Sequence, residues 1–482
     1  MLRNQVQLIT YPDSLGGRLS DVYRFLKYYT RDSIGGVHIL PFYPSSADRG
    51  FAPLTHLSVD PKFGTWADIR ALGREYDLVA DLTVNHLSCK SPYFQDFLAH
   101  GDESKYAGLF LDVYRYLDRH HAELKDLDST YRPRPTPPCT EFVLADGTTR
   151  TLWTTFTEEQ VDLDVTSDVT KRLMVRFIDK LVENGVDLLR LDAAGYAAKA
   201  PGTTSFLIPE TYEFLRWIRS VTPERIELLA EVHHEAGAQR QLLEANAVEW
   251  AYDFSLPLLT LHALYDGTNH NLMEWIAARP SQLITTLDTH DGIGVVDVAG
   301  LMSNDEIART KKRIEDSGAA EHTMRARGTD VHNVDVYQIN STYFSALGTD
   351  EHAYITARAL QYFVPGIPQI YYVGLLAGTN DYTALHKTNE GRSINRHNYT
   401  WPEIDAAIKQ PVVERLLELT YLRSHHPAFQ GTFSCEACGT EALQLRWDYG
   451  DIFCAAHVDL LNKTVTIEMT NPRTGSVEER RY

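Results

Sequence analysis

The chain has 482 residues, 43% hydrophobic and 23% charged, with 46 basic against 65 acidic side chains for a net charge of −19. That balance supplies a large core and excludes disorder or a coiled coil as the main state. The acidic sum argues against nucleic acid or an anionic membrane as a partner, but leaves room for a small anion bound by a local basic cluster.

The opening residues, MLRNQVQLITYPDS, contain no apolar run of signal-peptide length, and no stretch of 18 apolar residues is present. Five cysteines suit a reducing cytoplasm better than a disulfide framework. Cys435 and Cys438, followed by Cys454 and His457, resemble a zinc spacing. However, DIFCAAHVDL reads as a strand, whose two-residue period sends Cys454 and His457 to opposite faces. Plain strand residues are therefore expected there.

In chain order, short β-type runs are predicted at Gln7–Thr10, Gly35–Leu40, Leu78–Val84, Val186–Asp192, Glu227–Val232, Trp250–Leu256, Leu283–Thr289 and Ile367–Val373. Helical patterns lie between most of them, as in LMVRFIDKLVENG (Leu173–Gly185), with apolar positions at three and four and a closing glycine. Eight β-then-α units predict an α/β fold, a (β/α)8 TIM barrel. The barrel is expected to occupy residues 1–86, 166–291 and 351–430. Residues 87–165 and 292–350 are too long for ordinary connections and are expected to be inserted subdomains walling a pocket. Alternating segments such as ALQLRW and TVTIEM predict a small β-domain over residues 431–482.

Polar residues gather where these strands end. The third ends in Asn85-His86, the fourth in Arg190-Leu191-Asp192, the fifth in Glu231 with His233 and His234, and the seventh in His290-Asp291. Strand ends on this face form the active site of such barrels. A single Asp there is more often a helix cap. Three carboxylates at three strand ends, flanked by His and Arg, converge on one mouth and point to a functional site.

VADLTVNH, VDLLRLDAAGY, LLAEVHH and LDTHDGIG resemble the signatures of the α-amylase superfamily, glycoside hydrolase family 13. The resemblance implies that Asp192 is the nucleophile, Glu231 the general acid/base and Asp291 the third carboxylate supporting the transition state. A retaining mechanism needs one ionised and one protonated carboxyl about 5–5.5 Å apart. Arg190, two residues from Asp192 on the same strand face, is expected to hold it ionised.

QVQLITYPDSLGG, LPFYPSSADRGFAP, YRPRP, DVYQINSTYFSALG, GIPQIYYVGLLAG and GRSINRHNY together resemble the sucrose phosphorylase branch, from residue 5 to about 430. By that resemblance Asp48 and Arg396 hold glucosyl hydroxyls with His86 and His290 beside them, and Phe156 and Gln160 line the glucose pocket. Arg134, His233 and Tyr337 occupy positions that serve phosphate, with Asp335 and Gln338 beside them. Arg132 and Arg134 are stiffened by flanking prolines.

The branch includes phosphorylases of sucrose, of sucrose 6'-phosphate, and of glucosylglycerol or glucosylglycerate. SADRGFAP and GLLAGTNDY lean toward sucrose 6'-phosphate, with Arg49, Arg132, Lys199 and His234 as groups for a sugar phosphate. Tyr337 and THDGIG favour sucrose instead, and the balance falls narrowly to sucrose 6'-phosphate as the donor, with sucrose next. A hydrolase or transglucosidase with the same carboxylates is the nearest enzymatic rival, and a catalytically dead assembly subunit the rival from another class. No cofactor and no metal are expected, inorganic phosphate being a co-substrate. The sequence leaves monomer or homodimer open.

Overall fold

The computed structural model describes residues 2–132, 138–324 and 338–482. Eight parallel strands close into a barrel: β1 (Gln7–Thr10), β2 (Gly36–Ile39), β3 (Asp77–Thr83), β4 (Leu188–Asp192), β5 (Glu227–Ala230), β6 (Trp250–Asp253), β7 (Leu283–Thr285) and β8 (Ile367–Tyr371). Each pairs with its sequence neighbours, and β1 closes the ring on β8 through Gln7–Gln369 and Leu8–Ile370. All eight predicted strands are present, several with trimmed ends. The largest difference is β7, which stops at Thr285, four residues earlier than the sequence suggests.

The strands read as continuous apolar runs because helices cover the outer face while side chains fill the interior. β4 is buried at every residue. Asp168–Glu183 illustrates a covering helix. Ser167 caps it by accepting the Val169 N–H, and Thr170, Leu173, Met174, Phe177, Ile178 and Leu181 form its buried stripe. The helix starts five residues before the predicted Leu173, because Ser167 ends the preceding turn.

Unusually polar groups occupy the barrel interior. Arg190 of β4 donates to Asp81 Oδ1 of β3 at 2.5 Å, and His38 Nε2 of β2 lies 2.8 Å from Asp81 Oδ2. All three side chains are buried. Unpaired, each would cost several kcal/mol. Paired, they form a rigid floor beneath the strand ends.

Between β3 and β4 the chain leaves the barrel, makes a short pairing of His86–Ser88 with Gln160–Asp162, and forms the hairpin Cys139–Val143 with Thr149–Trp153. Between β7 and β8 it forms the helix Asn304–Asp316 and the strand Gln338–Asn340. After the barrel, an antiparallel meander follows: β9 (Thr432–Ala437), β10 (Ala442–Tyr449), β11 (Ile452–Asp459), β12 (Thr464–Thr470) and β13 (Val477–Arg481). On β11, Cys454 is buried, whereas His457 is partly exposed and 3.4 Å from Glu468. Their odd spacing places them on opposite faces. Among the described residues no helix is long and apolar enough to cross a membrane.

Candidate active site

The C-terminal ends of the barrel strands surround a cavity of about 70 Å³ that opens to solvent. Asp192, the last residue of β4, stands in register with Thr83 of β3. Glu231 follows β5, and its backbone N–H still donates to Leu191 O at 3.1 Å, so the ladder itself places the side chain beside Asp192. Asp291 arrives by a loop. Its N–H donates to Thr289 Oγ1 at 3.1 Å, and Asn395 Nδ2 clamps the carbonyls of Thr289 (3.2 Å) and Asp291 (2.7 Å). All three carboxylates line the cavity.

Strained backbone supports two of these positions. Ala193 has φ +54°, and its N–H donates to Glu231 Oε2 at 2.9 Å. Asp48 and Arg49 both have φ +47°, followed by Gly50 at +118°. A Cβ on Gly50 would fall 2.8 Å from Pro41 O, so glycine is required there. Left-handed non-glycine residues cost on the order of 1–3 kcal/mol each and persist only where neighbours enforce them.

Arg49 is what enforces this turn. Its guanidinium donates to Arg396 O (3.0 Å), Ser14 Oγ (2.9 Å) and Asp13 Oδ1 (3.2 Å), contacts Asn398, and lies 4.0 Å over the Tyr11 ring. These internal contacts tie the guanidinium to its own chain, where the sequence expectation had it as an open group for a sugar phosphate. Lys199 is likewise diverted. It is buried between Asp162 (2.7 Å) and Asn85 (2.9 Å).

The glucose-type lining expected from sequence converges on the cavity: Asp48, His86, Phe156, Gln160 and His290. His86 Nε2 and Gln160 Nε2 both reach Phe51 O, at 2.8 and 2.9 Å. His290 stacks flat on Phe51, centroids 4.8 Å apart. Burial pushes His290 down to about 3, with Arg190 and Arg396 adding to the effect against Asp291, so it sits neutral. Burial lowers His86 as well.

The carboxylates differ in electrostatic setting. Burial acts to raise Asp291, but Arg392 above all, with Arg396 and His233, outweighs it and holds the group far below the usual carboxylate range. Burial lifts Asp192 well above that range, and the Glu231 charge pushes the same way. Arg190, donating to Asp192 Oδ1 at 2.8 Å, opposes both. The expectation that Arg190 holds Asp192 ionised is therefore opposed by burial, which dominates, and by the neighbouring Glu231 charge.

On the acceptor side, His233 and Gln338 line the cavity, with Gln338 Nε2 3.0 Å from His233 Nε2. Burial acts to lower His233, yet Asp297 above all, then Glu231 and Asp291, raise it. His234 turns to Phe206, ring centroids 5.4 Å apart, and its N–H donates to Asp297 Oδ1 at 3.2 Å. Arg132 follows Tyr131, whose ring stacks 6.1 Å from Tyr196 of the cavity wall. Arg134, Asp335 and Tyr337 lie outside the described residues. A Glu231 oxygen, a His233 nitrogen and an Asp291 oxygen lie within 4.8 Å of one another, the only grouping with metal-ligand chemistry among the described residues.

Sequence reasoning missed Phe51, Tyr196 and Arg392, which also line the cavity, and the buried Asp297. Phe51 and Arg392 stand inside quoted motifs, three residues after Asp48 and four before Arg396. Their side-chain types alone carry no sign of the site.

The model of the α-amylase catalytic domain matches residues 11–397. The chain belongs to the α-amylase family. Within it, this chain is 44% identical to a glucosylglycerol phosphorylase of Marinobacter adhaerens over 98% of both chains. It is 43% identical to a sucrose phosphorylase of Streptococcus mutans over 88% of both. A crystal structure of sucrose 6F-phosphate phosphorylase from Thermoanaerobacter thermosaccharolyticum superposes with a TM-score of 0.94 at 42% identity, covering 100% of this chain and 99% of that one. This α-amylase-family barrel thus sits among enzymes named phosphorylases whose donors differ.

Proposed function

We propose that the protein is a retaining α-glucoside phosphorylase that transfers a glucosyl group to inorganic phosphate by double displacement. The observation that carries this reading is the cavity in which Asp192, Glu231 and Asp291 meet, with Arg190 bonded to Asp192. Asp192 attacks the anomeric carbon as the glycosidic bond breaks, and Glu231 gives its proton to the departing oxygen. A phosphate oxygen then attacks the glucosyl ester from the vacated side, freeing Asp192 and yielding α-glucose 1-phosphate. Asp291 stays anionic and supports the positive charge that develops on the ring. Phosphate serves as co-substrate, and no metal or further cofactor enters this scheme.

The relatives named above divide over the donor. Two of the four groups that favoured sucrose 6'-phosphate, Arg49 and Lys199, are committed to internal partners. That supports an unphosphorylated leaving group, with sucrose first. Glucosylglycerol stands second, on the 44% identity to its phosphorylase. The absence of disulfides among the five cysteines fits a cytoplasmic setting.

The test is incubation with phosphate and each of sucrose, sucrose 6'-phosphate and glucosylglycerol, comparing kcat/KM. Glucose 1-phosphate in clear excess over free glucose is expected, with sucrose favoured. Free glucose as the main product would make the protein a hydrolase, and preference for the phosphorylated donor would reverse the acceptor assignment.

A further inference from the structure

β7 ends at Thr285, so no strand ladder places residues 286–291, and side chains must aim Asp291 instead. The helix Glu351–Phe363 holds this loop from behind. Tyr354, Arg358 and Gln361 stand at i, i+4 and i+7, on one helix face, and all three are fully buried. Arg358 Nη2 donates to both oxygens of Asp288, at 2.8 and 2.7 Å, and Nη1 donates to Gln361 Oε1 at 2.9 Å. Tyr354 OH accepts from Arg358 Nη2 at 2.8 Å and gives its own proton to Gly374 O at 2.6 Å. Gln361 Nε2 donates to Thr285 O and Gln369 O, both at 2.9 Å, and so ties β7 to β8. Gly374 makes room for the ion pair, since a Cβ there would collide with Arg358 Nη2 and Asp288 Oδ2. Asp288 is thus a buried anchor three residues before Asp291. Thr286 Oγ1 tightens the turn by donating to Asp288 O at 2.8 Å.

We infer that Arg358 is a positioning residue for glucosyl transfer: through Asp288 it sets the turn that aims Asp291 at the reacting carbon of the sugar. The inference deepens the glucosyl-transfer reading and rests on it. Arg358 does not line the cavity, so it acts only through the loop. A buried ion pair adds little stability over apolar packing of the same volume, so what this one supplies is direction. The planar fork reaches Asp288 and Gln361 at once, which the point charge of Lys cannot do. Asn395 clamps the front of the loop at Thr289 and Asp291, and Arg358 clamps its back at Asp288. A misplacement of about 1 Å in a reacting group costs on the order of a hundredfold in rate, so a loop with only one of these clamps is too loose for Asp291 to work.

The experiment uses α-glucosyl fluoride, a donor whose hydrolysis needs neither phosphate nor a sugar leaving group. Kinetics and thermal unfolding are compared for the wild type, Arg358→Met, Arg358→Lys and the double variant Arg358→Met with Asp288→Asn. Arg358→Met is expected to lower kcat about a hundredfold on α-glucosyl fluoride and in phosphorolysis alike, with KM within about threefold. Arg358→Lys should recover part of that loss. Arg358→Met leaves the Asp288 carboxylate buried and alone, and its unfolding midpoint should fall. The double variant leaves no lone buried charge, so its midpoint should rise again while kcat stays low. A kcat that returns together with the midpoint would overturn the inference, because Arg358 would then serve stability alone. So would any folded variant lacking the Arg358 guanidinium with kcat within threefold of wild type, or a loss confined to KM. Should Arg358→Met fail to fold, the double variant and Arg358→Lys decide by the same criteria. A wild type that hydrolyses α-glucosyl fluoride but forms no glucose 1-phosphate refutes the phosphorylase reading while leaving Arg358 testable. A wild type inert toward α-glucosyl fluoride removes glucosyl transfer and this inference with it.

Discussion

Asp297 Oδ2 lies 3.0 Å from His233 Nδ1, and neither side chain meets solvent. The pair joins the segment that follows β7 to the end of β5, and it fixes the ring so that Nε2 faces Gln338. Asp297 is also the strongest of the groups that favour the His233 cation against burial. A raised value means that the cation persists to higher pH and is lost as pH rises through it. Replacing Asp297 by Asn should therefore bring that loss to lower pH. Phosphate KM is expected to rise about tenfold, with the alkaline rise in phosphate KM moving downward and donor KM changing far less. Initial rates across pH at varied phosphate test this. An equal loss in both KM values would mean that Asp297 is only a structural strut.

Arg190 is the second lever. It bonds Asp81 below and Asp192 above. Removing its charge leaves burial and Glu231 to drive Asp192 further up, so a smaller fraction is ionised at any given pH. Arg190→Met should lower kcat/KM by about a hundredfold or more, at roughly 1.4 kcal/mol per tenfold, and move the acid limb of the profile to higher pH. The pH dependence of α-glucosyl fluoride hydrolysis checks both parts. A lower rate with an unmoved acid limb would point to lost packing instead.

The barrel was legible because its strands are apolar runs between helices of clear period, each with a local signal. β7 was the exception. Thr286–Thr289 continue the β-type composition of LITTLDT, but there the chain turns to deliver Asp291, a tertiary demand with no local mark. Asp192 and Glu231 were legible because each sits at or just after a strand end, and Asp291 because LDTHDGIG continues the strand-like run past Thr285. The fates of the basic residues were not. Arg49 and Lys199 look available in sequence. Whether a guanidinium meets a substrate or its own chain depends on Ser14, Arg396, Asp162 and Asn85, which lie from 35 to 347 residues away or are buried across another loop. Arg392 went unnoticed for the same reason, since only its distance to Asp291 reveals its place.

The reassignment of Arg49 has its own consequence. A strap that ties the turn at Asp48–Gly50 to Ser14 and Arg396 contributes chiefly to stability and to the setting of Asp48. Arg49→Gln is expected to cost about 1–2 kcal/mol through the lost, partly buried hydrogen bonds, seen as a fall in thermal midpoint. Donor KM should rise for every donor alike, because Asp48 loses its support. The ratio of kcat/KM for sucrose to that for sucrose 6'-phosphate should stay within about twofold. A selective collapse with the phosphorylated donor would restore Arg49 to the acceptor site.

His56 predicts how the fold responds to acid. Its Nε2 accepts the Thr83 N–H at 3.2 Å, at the end of β3, and the ring packs between Tyr43 and Phe177. Burial pushes it down to about 3. That bond requires an unprotonated Nε2, so the geometry and the electrostatics agree. The unfolded chain takes up this proton near pH 6.5. With the folded value depressed, the contribution of the neutral ring is fully present above about pH 6.5 and is lost as pH falls from there toward 3. Each pH unit in that window costs up to about 1.4 kcal/mol for this group. Denaturant midpoints from pH about 7 to 4 should therefore decline in the wild type. In His56→Asn, which starts less stable, the decline should be shallower by His56's share, the other histidines lowered by burial, His86, His262, His290 and His426, still contributing. Parallel slopes in the two proteins would show that His56 does not take up its proton on unfolding.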